Sequence, residues 1–166
     1  PVIVDVQPVF IPINVRSADS RMGDTERGAY TFAYKKMMDA GLMLTGGSDS
    51  PCDSFNPLDG VYALVNRKDY TGYPEGGWHP QECIGVYDAL RMYTYNAAYS
   101  SYEENIKGTI KEGKLADFVV CAPDLTPKAV YLGGFAAGAG AGRAEVDTAV
   151  QLLAAKTALV MEGDLF

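Results

Sequence analysis

The feature that most constrains this chain is an apolar run, Leu42-Met43-Leu44, that breaks off into Gly46-Gly47-Ser48-Asp49-Ser50-Pro51. Large apolar residues followed by two glycines read as a buried strand meeting a tight turn, because glycine takes up the backbone angles of a sharp reversal without steric cost. One carboxylate then stands at the strand's end. Two readings of Asp49 stay open: a group that handles a proton or a metal, or a turn former that, with Ser48, satisfies nearby backbone amides.

Strands and helices alternate on both sides of this turn, so an α/β fold is expected. Residues 2–6 are apolar and β-branched apart from Asp5, and Gln7-Pro8 ends that run as a strand terminus would. Residues 11–23 read as a long loop carrying Arg16 and Arg21. Residues 25–40 read as one helix, capped by Asp24 or Thr25, stopped by Gly41, and buried along Tyr30, Ala33, Tyr34, Met37 and Met38. Asn56-Pro57 opens the next helix, with proline at the first position, where a missing N–H costs nothing. Arg67 closes it and gains from the helix dipole.

The Gly-, Pro- and aromatic-rich stretch 69–80 cannot be regular structure. A helix over 86–100 follows, with Asn96 expected to fix its end to the next turn. Gly108 and Gly113 bracket a short strand at 109–112, and 116–121 reads as a buried strand. Lys114 and Asp117, at the turn between them, read as structural. Residues 133–143 hold only glycine, alanine, Phe135 and a closing Arg143; without a following Lys-Ser or Lys-Thr this is a linker, not a phosphate loop. A helix over 144–155 and a hairpin over 156–166 complete the pattern.

Composition excludes several functions. With 14 Lys plus Arg against 21 Asp plus Glu, the net charge of −7 repels phosphate backbones, so no nucleic-acid partner is expected. No apolar stretch approaches the roughly 20 residues needed to span a bilayer, so no membrane partner is expected either. Cys52, Cys83 and Cys121 are odd in number and lack Cys-x-x-Cys spacing, which points to a reducing, cytoplasmic setting without a disulfide framework.

Further motifs stand in fixed order after the Gly-Ser-Asp turn: Asn56-Pro57-Leu58-Asp59-Gly60 through Arg67, Val86-Tyr87-Asp88-Ala89-Leu90 through Asn96-Ala97-Ala98-Tyr99, and Lys107-Gly108-Thr109-Ile110-Lys111-Glu112-Gly113-Lys114-Leu115-Ala116-Asp117-Phe118. Together they resemble the C-terminal part of the metal-dependent amidohydrolases, in particular amidohydrolase family 3, whose members include enzymes like N-substituted formamide deformylase. The resemblance runs over residues 2–124 and resumes at 156–166. It implies the last strands and helices of a (β/α)8 TIM barrel over residues 1–105, and part of a composite β-sandwich over 106–166 with an insertion at 133–143. Because a whole barrel takes about 250 residues, the chain is expected to be a C-terminal portion, inactive in isolation.

By position in the resemblance, Asp49 is the residue that meets the metal and handles the proton of the attacking water. Ser48 and Ser50 would orient it, and Ser50, Arg21 and Arg67 are the substrate-binding candidates, with Arg16 a further one. The implied chemistry is hydrolysis of a non-peptide C–N bond in a small-molecule amide or formamide by metal-activated water. The implied cofactor is a divalent metal, zinc, in a full-length parent. A zinc site needs three or four His, Cys or carboxylate ligands. The single histidine, His79, lies in a loop that matches no ligand position of the family. No metal is therefore expected on the isolated chain, and a non-catalytic packing module stands as the alternative. Assembly of identical copies stays open.

Overall fold

The computed structural model describes residues 2–117, and the expectations for 118–166, including the sandwich return, linker and final hairpin, lie outside them. Two short strands, β1 (Ile3–Val6) and β2 (Met43–Gly46), pair in parallel with the register Ile3↔Met43, Val4↔Leu44, Asp5↔Thr45 and Val6↔Gly46. Parallel strands need a crossover, which here runs through α1 (Phe10–Met22), α2 (Glu26–Ala29) and α3 (Tyr34–Asp39). After β2 come α4 (Pro57–Asn66), a 3₁₀ turn at Pro80–Glu82, α5 (Val86–Tyr93) and α6 (Tyr95–Ser100).

Side chains alternate across a sheet, so residues paired in parallel register share a face. Val4, Val6 and Leu44 turn toward the helices and pack with Ile11, Tyr34, Val61, Leu64, Ala89 and Met92 in the main core. Asp5 and Thr45 share the opposite face. Burial is incomplete along β1, where Ile3 is 38% exposed and Asp5 is exposed.

Three helix assignments need correction. The segment read as a loop at 11–23 is α1, which buries Ile11, Pro12, Val15 and Ala18 at helical spacing. Pro12 hides it, yet in the first turn a proline forfeits no intrahelical hydrogen bond. The single helix expected over 25–40 is broken between α2 and α3, where Phe32 takes φ +51°. Thr25 is the N-cap, accepting from the Gly28 amide at 3.2 Å, and Gly41 ends the run at φ +84°. The helix expected over 86–100 is likewise two helices, parted at Thr94. Asn96 reaches back rather than forward: its amide donates to the Leu44 carbonyl at 2.8 Å, tying α6 to β2.

Helix α4 begins as its sequence dictates, with the Asn56 side chain accepting from the Leu58 amide at 3.1 Å and Pro57 in the first turn. The strand expected at 109–112 is absent among the described residues, which form turns there. Lys114 holds them as a structural residue, its ammonium donating to the Glu104 carbonyl and the Thr109 hydroxyl.

Candidate active site

Both strands end on the same side, and β2 runs directly into the turn that carries Asp49. The β2 end is gripped residue by residue. Leu44 offers its carbonyl to Asn96, and the Thr45 hydroxyl donates to Asp5 Oδ1 at 3.0 Å. The Tyr93 ring fills the space where a Cβ on Gly46 would sit, 2.4 to 2.7 Å from its nearest atoms, and the Gly47 amide donates to the Val6 carbonyl at 2.8 Å. Gly46 is thus a packing requirement of Tyr93.

Asp49 follows at φ +55°, a left-handed conformation that Asp tolerates better than most residues but that is uncommon outside glycine. It is exposed, and among the described residues no hydrogen bond or ion pair reaches its carboxylate. The turn is closed by backbone alone, Cys52 N–H donating to the Asp49 carbonyl at 2.8 Å. The carboxylate is therefore not spent on capping its own turn. Ser48 and Ser50, expected to orient it, make no hydrogen bond to it among the described residues; Ser50 is exposed beside it.

Past the turn the loop is anchored by a second acidic group. The Ser54 hydroxyl donates to Asp59 Oδ2 at 2.6 Å and the Ser54 amide to Asp53 Oδ1 at 2.7 Å. Burial pushes the Tyr70 phenol up to about 12, and the charges of Asp59 and Asp53 add to it. The Tyr93 hydroxyl is enclosed without a hydrogen-bond partner among the described residues. Burial, then Tyr34, Asp5 and Asp59, hold its pKa well above the ordinary tyrosine value.

The arginines lie elsewhere. Arg67, a substrate-binding candidate from sequence, is fully enclosed, its guanidinium donating to the carbonyls of Trp78 at 2.6 Å, Phe32 at 3.0 Å and Thr31 at 3.5 Å. It also lies 5.6 Å over the Trp78 ring. Burial pulls its pKa below the usual value, opposed by Cys83, Glu82 and Tyr34. Its donors are committed to backbone, so the substrate-binding assignment is replaced by a structural one. Arg16 donates to Asp69 at 2.6 Å and to Thr71 at 2.9 Å. Arg21 is exposed in the last turn of α1. Because α1 is a helix and not a loop over the strand ends, Arg21 stands roughly 16 Å along the axis from the helix start.

His79 is held in the 69–85 segment, Nε2 at 3.1 Å from the Gly23 carbonyl and the ring edge-on to Trp78. Among the described residues no three His, Cys, Asp or Glu side chains gather as metal ligands. Cys52 and Cys83 are free. No described helix is long and apolar enough to cross a membrane. Asp5 and Tyr93 were missed from sequence: Asp5 signalled itself as the one acid in an otherwise apolar strand, while nothing local marked Tyr93.

The chain is similar to several known proteins. The sequence profile of the Amidohydrolase family matches residues 1–129. The Bacillus subtilis protein named as amidohydrolase YtcJ is 34% identical over 124 residues, 75% of this chain and 23% of its own length. N-substituted formamide deformylase of Arthrobacter pascens is 32% identical over 102 residues, 61% of this chain and 18% of its own length. An uncharacterized metal-dependent hydrolase from Pyrococcus horikoshii OT3, known as a crystal structure, superposes with a TM-score of 0.58 and 26% identity, covering 78% of this chain and 25% of that one. The chain thus spans about a quarter or less of the length of these relatives. With a profile match over most of its residues and a mixed α/β fold built on a parallel strand pair, this chain belongs to the amidohydrolase family.

Proposed function

We propose that the chain supplies the Asp49-bearing end of a metal-dependent amidohydrolase that cleaves non-peptide C–N bonds in small amides or formamides. The observation that carries this is a carboxylate presented at the C-terminal end of a parallel strand, held on strained backbone and without a hydrogen bond or ion pair among the described residues. Ligands of parallel α/β folds bind at that strand end. In this reading β1 and β2 are adjacent strands of a (β/α)8 barrel to which residues 1–105 contribute.

Asp49 takes the proton of the attacking water as its oxygen adds to the substrate carbonyl. It then gives that proton to the leaving nitrogen, so the C–N bond breaks to a carboxylic acid and an amine. The divalent metal of the family, zinc in this reading, needs more ligands than Asp49. The described residues do not complete such a site, so no step is assigned to the metal here. A cytoplasmic enzyme is part of the same reading.

One observation favours a second reading, a packing module without catalysis: Ile3 is 38% exposed on a strand paired along one edge only among the described residues, and Val2 just before it is 65% exposed. Amine release from an N-substituted formamide, measured with and without a chelator on the full-length hydrolase that this reading makes the segment part of, separates the two. The hydrolase reading expects chelator-sensitive release. No release from this or other N-substituted formamides, with or without added zinc, would favour the module.

A further inference from the structure

Four successive residues lead into the Asp49 turn, and three elements hold them: α6 through Asn96 on Leu44, β1 through Asp5 on Thr45 and Val6 on Gly47, and α5 through Tyr93 on Gly46. The grip stops there, and Ser48, Asp49 and Ser50 follow with exposed or half-exposed side chains. A residue in left-handed backbone persists only where its surroundings over-determine it. Of the four holders, Val6 and Tyr93 belong to the main core and Asn96 is buried, whereas Asp5 is exposed. It lies on the sheet face away from that core, and a carboxylate is a poor strand former. Its Oδ1 nevertheless takes the hydroxyl of Thr45, a residue only 6% exposed, and a Cβ on Gly47 would stand 3.5 and 3.8 Å from its two oxygens.

We propose that Asp5 is a positioning residue: bonded to Thr45 and seated beside Gly47, it fixes the strand end from which Asp49 projects. The inference rests on the assignment of proton transfer to Asp49. Asp5 touches neither substrate nor reacting atoms; it acts through Thr45 and the Gly47 backbone, setting where the Asp49 carboxylate starts. Misplacing a reacting group by a fraction of its reach lowers turnover more than binding.

The test uses Asp5→Ala, Asp5→Asn, Thr45→Val and Thr45→Ser in the full-length hydrolase of the proposed reading, with an N-substituted formamide as probe substrate, and amide hydrogen exchange on the same samples. Asp5→Ala and Thr45→Val are expected to lower kcat about tenfold, the rate equivalent of one hydrogen bond, while KM stays within about twofold. Asp5→Asn and Thr45→Ser, which keep acceptor and donor, recover most of that rate. The double variant Asp5→Ala with Thr45→Val is no worse than the worse single one. Exchange at Gly47, whose amide is bonded to Val6, rises about tenfold in the damaging variants while amides of α4 and α5 are unchanged.

An Asp5→Asn variant as impaired as Asp5→Ala would overturn the proposal, as would a rise in KM alone, additive losses, or exchange that speeds throughout the core. Asp49→Asn run in parallel keeps the two ideas apart. Full rate in Asp49→Asn removes the proton-transfer assignment, whereas loss of rate there with silent Asp5→Ala and Thr45→Val removes the positioning role alone.

Discussion

Replacing Arg67 with methionine, which keeps most of the stem and removes the guanidinium, separates a scaffold arginine from a substrate-binding one. The side chain is wholly enclosed and bridges α4 to two other segments, donating to Trp78 at 2.6 Å and Phe32 at 3.0 Å. The contact to Thr31 at 3.5 Å lies at the limit of a hydrogen bond and counts for little. Each charge-assisted bond is worth roughly 1.5–3 kcal/mol, and its loss leaves a buried carbonyl unpaired, so Arg67→Met should cost about 3–5 kcal/mol. For a chain of this size that lowers the melting temperature by roughly 6–20 °C. Trp78, the chain's single tryptophan, sits under the guanidinium at 3% exposure, so its fluorescence reports unfolding at the altered contact. Urea titration should show a lower midpoint with an unchanged slope. A variant with the parental midpoint but a raised KM would refute this reasoning and return Arg67 to the substrate.

Other perturbations have equally direct readouts. Gly60→Ala would place a methyl carbon 1.8 Å from the Tyr93 hydroxyl, so it should destabilise by about 3 kcal/mol or more on urea titration. The Asp69 carboxyl is raised by burial but held below its ordinary pKa overall by Thr71, Tyr73 and Arg16. Its contribution is therefore complete above the ordinary carboxylate range and lost as pH falls through the lowered value, so the parent and Asp69→Asn should converge in melting temperature in acid. Burial pushes Tyr34 up to about 12 against the pull of Arg67. Folding there favours the neutral phenol, so stability should fall as pH rises from about 10 toward 12, and less so in Tyr34→Phe.

The parts legible in sequence were those fixed by neighbouring residues. The β-branched run before Gln7-Pro8 and the apolar run before Gly46 show their strands directly, and Asn56-Pro57 shows where α4 starts, because cap and first turn lie within three residues. The α2–α3 break was illegible, since the carbonyls of Thr31 and Phe32 are turned toward Arg67, distant in sequence. Helix α1 was obscured by Pro12, whose cost depends on its place in the first turn. At the site, Asp49 stood out by its glycines. Asp5 showed only as the one acid of its strand and Tyr93 not at all, because what they hold, Thr45 and Gly46, lies on β2, distant from both in sequence. Asn96 was placed on its helix but given the wrong partner, for its acceptor Leu44 lies 52 residues back.

The central claim is that Asp49 handles a proton, and Asp49→Asn tests it most directly, keeping size and shape while removing the charge. Steady-state turnover of an N-substituted formamide is measured beside the melting temperature of the same preparation. Turnover should fall roughly 10²- to 10⁴-fold, with the melting temperature near the parent's, because no described residue bonds to that carboxylate. Parental turnover in the asparagine variant would contradict the account, leaving Asp49 as a residue of the turn and nothing more.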